Sequence, residues 1–156
     1  MKRKLQWSAF WALVGIFVVT VSVFVIPSLR ELLMGFLFIT ISGVVVFLLG
    51  VALIFFTVKE KVRGKLKKFL ILTGASAAGV FVSVLLHNAI YGLFIHWFGA
   101  DFWDRIGLAD EPVFFIMAII VCPIGFLVGA VGSIVLAVRD STGMAREPSV
   151  RSDYGC

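Results

Sequence analysis

The amino-acid sequence predicts an all-α, polytopic membrane protein: a four-transmembrane-helix bundle with a short interfacial helix between helices 3 and 4. Three observations carry this. Of 156 residues, 61% are hydrophobic and 15% charged, where soluble chains run near half and a quarter, and mean hydropathy is +1.09. Four windows, residues 7–26, 33–58, 69–97 and 113–138, each supply the roughly 20 apolar residues a helix needs to cross a hydrocarbon core. The charges between these windows are sorted by sign. Residues 1–138 are thus expected to form the transmembrane domain, with residues 139–156 as a polar cytoplasmic tail.

Span 1 follows MKRKLQW and resembles a secretory leader only in its basic start. Its apolar run is about twice the usual length for such a leader and lacks a small-residue cleavage site before Pro27, so it reads as a retained helix. Span 2 is followed by a basic turn holding Lys59, Lys61, Arg63, Lys65, Lys67 and Lys68. The loop between spans 3 and 4 carries Asp101, Asp104, Asp110 and Glu111 against Arg105. Basic residues favour the cytoplasmic side, which places both termini and the basic turn there, in a multi-pass protein of the cell membrane. Trp7 and Trp11 at one end, and Trp97 and Trp103 at the other, fall where aromatic belts form.

A net charge of +5 and a pI near 9.6 would suit nucleic acid. Here, however, the cations cluster at the expected cytoplasmic face, where anionic lipids attract each at about 1 kcal/mol. The expected partners are the lipid bilayer, including anionic lipid, and membrane protein partners or a second copy of the chain, with no nucleic acid. No cofactor is expected: two cysteines, Cys122 and Cys156, make no metal spacing. Both histidines lie on span 3, so they cannot ligate a haem from facing helices within one chain.

Span 3 contains Gly74 and Ala78, and beside them Ala75, Gly79 and Ser83, at four-residue spacing. Span 4 contains Gly125, Gly129 and Ser133, with Gly132 adjacent. Such rows let backbones approach where lipid supplies no hydrophobic drive. If both spans end level at 69 and 138, residues at equal depth have numbers adding to about 207, which sets Gly74 against Ser133 and predicts a tight cytoplasmic seam between spans 3 and 4. Pro123 lacks an amide hydrogen and should kink span 4 above that seam, opening an outward cleft.

His87, Asn88, Tyr91 and Cys122 are the candidate ligand-binding residues of that cleft. His87 sits ~27 Å along span 3, near the outer edge of the core. An ionisable residue in a span is a functional candidate by default, yet a hydrogen bond to Tyr91 or Asn88 would also account for it, and both readings stand. His96 lies outside the core, where water satisfies it. Asp101 and Arg105 have i, i+4 spacing, which places the short interfacial helix at residues 98–107. Asp110 before Glu111 and Pro112 reads as the N-cap of span 4. A cation site made by the four acids of this loop is the alternative.

No interior carboxylate, paired cysteines or Ser/His/Asp set is present in the spans. The expectation is a non-enzymatic accessory or assembly subunit of a larger membrane complex, with a binder or transporter of a small or lipophilic ligand near His87 as the alternative. The segments HNAIYGLF, DFW, DEPVFFI and CPIGFLVGAVGSIV, within residues 87–135, resemble small four-span membrane proteins of prokaryotes that carry no assigned activity. The resemblance implies that these positions form a unit and transfers no functional residue.

Overall fold

Apolar runs of this length, uninterrupted by charge, satisfy their own backbone as helices. The computed structural model describes residues 2–26, 36–108 and 111–144, all helix and turn with no strand among them. Helix α1 spans Lys2–Val25, α2 Phe36–Lys59 and α3 Gly64–Phe98. A short α4 covers Phe102–Arg105, and α5 covers Pro112–Ile116. A π-helical turn, Met117–Val121, joins α5 to α6, Cys122–Met144. Four helical stretches are long and apolar enough to cross a membrane: Lys4–Val23, Thr40–Lys59, Gly64–Phe98 and Pro112–Asp140. Met1, residues 27–35, Ala109, Asp110 and the tail beyond Met144 lie outside the described residues.

Helix α3 is the spine, packed along α2 on one side and along α6 on the other, with α1 laid against α2. Phe17 of α1 stacks on Phe126 of α6 at 4.2 Å and closes the ring of helices. The core comprises Phe10, Leu13, Leu53, Leu70, Ala77, Phe126 and Ala130. Buried positions recur at alternating three- and four-residue steps, as in Gln6, Phe10, Leu13 on α1 and Gly50, Leu53, Thr57 on α2, the period of helix bundles. Around this core the polarity is inverted. Val19, Ile41, Leu48, Ile119 and Val131 are each more than half exposed, while Thr57, Thr73, Ser83 and Ser133 are buried. Thr57 and Thr73 bond back to the carbonyls of Leu53 and Phe69, so their hydroxyls are satisfied within their own helices.

The seam between α3 and α6 is made by backbone approach. A Cβ on Gly129 would lie 2.5 Å from Thr73 Oγ1, 2.7 Å from Thr73 N and 2.9 Å from the Phe69 carbonyl oxygen. Gly125 rests on Ser76, Gly132 on the Phe69 ring, and Gly79 on Cys122 Sγ. Facing residue numbers therefore add to 201 or 202 rather than 207. The reason is that α3 begins at Gly64, ahead of the apolar window, because lysines are good helix formers and extend it into water. Gly74 also departs from its expected partner. It faces Gly50 of α2, where a Cβ would come within 2.7 Å of the Gly50 carbonyl oxygen, and Ala78 N lies at the same crossing. Thr73 and Gly74 are consecutive, so they look in directions about 100° apart, and one small-residue cluster serves two neighbours.

Ser133 is fully buried with no hydrogen-bond partner for its hydroxyl among the described residues. A buried hydroxyl without a partner costs about 1–3 kcal/mol. Ser133→Ala is therefore expected to leave the thermal midpoint unchanged or raised; a clear fall would show that the hydroxyl is bonded.

Between α2 and α3 the chain turns through a Schellman arrangement. Val62 N–H donates to the Thr57 carbonyl at 3.4 Å and Lys61 N–H to the Val58 carbonyl at 3.1 Å. Lys61 takes the left-handed conformation, φ 51°, at the position where glycine is usual. At the other end Gly99, with φ 97°, ends α3 by donating its N–H to the Ile95 carbonyl.

Candidate functional site

His87, Asn88 and Tyr91 lie at the end of α3 remote from the basic turn. His87 Nδ1 is 3.1 Å from the main-chain oxygen of Glu111, to which it donates, and 3.5 Å from Glu111 Oε2. Its ring also lies 5.7 Å, centroid to centroid, from Phe115. Glu111 is buried. Its Oε1 accepts from Val113 N at 2.9 Å and its Oε2 from Phe114 N at 3.0 Å, so it caps α5 and ties that helix to α3.

This corrects two expectations. The cap is Glu111, not Asp110, because Pro112 occupies the first helical position and leaves the residue before it to serve the second and third N–H groups. The histidine's partner is likewise Glu111, from the opposite helix, rather than Tyr91 or Asn88 on its own.

Asn88 is exposed and its amide donates to the Val84 carbonyl at 2.8 Å. It follows His87 directly, so the helical turn carries it to the outside. Tyr91 stacks on Trp103 with centroids 5.7 Å apart and rings 9° from parallel. Trp103 donates its indole N–H to the Tyr91 carbonyl at 3.4 Å and is buried; Phe94 packs against the same indole. Helix α4 is thus folded back on the end of α3. Arg105 fastens it, bonding the Phe98 carbonyl and pairing with Asp101 at 3.7 Å.

Cys122 lies far below, against Gly79 with the Ser83 hydroxyl as hydrogen-bond partner. Gly79 and His87 are eight residues apart, about 12 Å along the helix. The four candidate ligand-binding residues therefore do not line one cleft: two turn inward to different partners, one faces out, and one belongs to the seam. Near Pro123, the helix opens into the π turn, in which Cys122 N–H reaches the Met117 carbonyl; a proline supplies no N–H for the next bond, and a widened turn accommodates the gap.

In chemical terms, His87 and Glu111 make a partly buried acid–base contact. Among the described residues no three His, Cys, Asp or Glu side chains converge to hold a metal ion. A cavity of about 790 Å³ lies at the opposite, basic end, lined in part by Gln6 and Glu60. Neither residue stood out in the sequence. The available signal was that Gln6 begins the stripe continued by Phe10 and Leu13.

Fold and site describe an all-helical bundle with four helices long and apolar enough to cross a membrane, its α3–α6 seam made by backbone approach and a polar clasp at its far end. No protein-family model matches the chain, and no curated protein or solved structure is significantly similar to it.

Proposed function

We propose that this chain is a non-enzymatic multi-pass protein of the cell membrane that serves as a small accessory or assembly subunit of a larger membrane complex. In this reading the basic turn and both termini face the cytoplasm, and α4 lies at the outer interface with Trp97 and Ile106 outward. The observation that carries the association is Asn88. It is an exposed amide on an otherwise apolar surface between Leu85 and Gly92, and a Cβ on Gly92 would meet nothing within 4 Å. In lipid, an outward asparagine beside a small residue is the pattern by which one helix hydrogen-bonds another. The ligand-cleft alternative has less support, since its four residues are dispersed.

The test is the oligomeric state of the protein in mild lipid extracts, read by native mass spectrometry and crosslinking. The wild type is expected in a species heavier than one chain. Asn88→Leu should weaken association about 3- to 30-fold, equivalent to roughly 0.6–2 kcal/mol for one interhelical hydrogen bond. Gly92→Leu should weaken it further by blocking close approach. A lone monomer in such extracts would overturn the proposal.

A further inference from the structure

The cavity at the basic end lies between the start of α1, the α2–α3 turn and the end of α6. Its volume, about 790 Å³, is within the range of small-ligand sites. Lys61, Arg63, Lys65 and Arg139 line it, against the carboxylates of Glu60 and Asp140. None of these four cations forms an ion pair among the described residues, so the wall carries a positive excess.

Two residues of the lining each keep one polar atom without a partner. Gln6 is only 2% exposed, yet its Nε2 has no acceptor among the described residues, and the buried Oε2 of Glu60 has no donor. An unmade bond at a buried polar group is costly, more so at a charged one. The two are of opposite sense, one a donor and one an acceptor, and both are closed to solvent, so a guest offering both would meet them by a turn of the Gln6 and Glu60 side chains at the cavity wall.

The mouth adds to this. Helix α3 starts at Gly64 without a side-chain cap, so the positive end of its dipole lies beside the lining residues Arg63 and Lys65. Lys61 is held at φ 51°, where glycine would sit without strain, which keeps a cation at the mouth that the turn itself does not require.

We propose that this cavity binds a glycerophosphate-type group, a phosphate diester or monoester bearing a hydroxyl donor. The phosphate would take the cations and the Gln6 amide, and the hydroxyl would donate to Glu60. Such a group is the head of an anionic phospholipid such as phosphatidylglycerol, and also a soluble glycerophosphate. The membrane placement proposed above would put the cavity at the depth of lipid head groups, where basic pockets between helices receive them. The site shares no residue with the Asn88 surface.

The experiment uses the full chain, stripped of native lipid in neutral detergent, and follows thermal unfolding and native mass spectra. Dioctanoyl-phosphatidylglycerol, dioctanoyl-phosphatidylcholine and glycerol 3-phosphate are the probes. Phosphatidylglycerol should raise the midpoint by several degrees and appear as a bound adduct, whereas phosphatidylcholine, which lacks a donor, should do neither. A response to glycerol 3-phosphate equal to that of the lipid assigns the site to a soluble ester; a response to the lipid alone assigns it to the membrane.

Gln6→Leu should raise the midpoint of the empty protein while weakening phosphatidylglycerol binding about tenfold, a combination that a merely structural glutamine would not give. The exposed pair Arg63→Gln with Arg139→Gln should leave the fold intact and weaken binding about a hundredfold, near tenfold for each cation. Equal responses to both lipids, or unchanged binding by the arginine variant, would overturn the proposal. Asn88→Leu should keep the full lipid response, so failure of the association reading and failure of this one are separable.

Discussion

Gly129→Leu is expected to abolish the folded bundle. The glycine already touches the Thr73 backbone and the Phe69 carbonyl, so even one added carbon would lie 2.5–2.9 Å from three atoms, two of them main chain. Alanine at this position would gain about 1 kcal/mol of helix propensity, yet it forces α6 away from α3 along the seam. Overpacking a tight contact costs about 1–3 kcal/mol for small additions and more for larger ones. Gly129→Ala should therefore be net destabilised, and Gly129→Leu should fail to give a cooperative unfolding transition in detergent. Gly15→Leu is the control, since a Cβ there meets nothing within 4 Å; if it and Gly129→Leu unfold alike, the seam is not held by backbone approach.

Glu111→Ala is expected to lower stability by about 2 kcal/mol. Loss of a cap that holds two N–H groups accounts for roughly 0.5–2 kcal/mol, and loss of the carboxylate beside His87 adds to it. Because the clasp joins α3 to α5, the two residues should be coupled. In a double-mutant cycle by thermal or chemical unfolding, His87→Leu should cost at least about 0.5 kcal/mol less in the Glu111→Ala background than in the wild type. Strict additivity would mean that the Glu111 carboxylate adds nothing to His87 beyond the main-chain hydrogen bond, which alanine keeps.

Much of this architecture is legible in the sequence. The four long apolar helices follow from apolar length, the Asp101–Arg105 pair from its spacing, and the crowding at Gly125 and Gly129 from small residues four apart. The register was not legible, because it depends on where α3 begins. Lys65, Lys67 and Lys68 read as a loop by hydropathy, but their straight side chains continue the helix, and the seam shifts by about six residues.

The polar cluster divides for a different reason. His87 and Asn88 are neighbours, and successive residues on a helix point about 100° apart, so a narrow site cannot take both. Which of the two faced inward depended on the roll of α3, set by Thr73 and Ser76 against α6 and by Gly74 against α2.

By itself the sequence determined the helical class, the number of long apolar helices and the sorting of charge, since these depend on local composition and period alone. Only the tertiary structure decided the pairing of Gly74 with Gly50, the clasp of His87 on Glu111, the outward turn of Asn88 and the burial of Gln6 in a basic cavity. Each of those is a meeting of residues from different helices. It depends on helix roll and depth, which close backbone packing sets across the bundle and no single segment encodes.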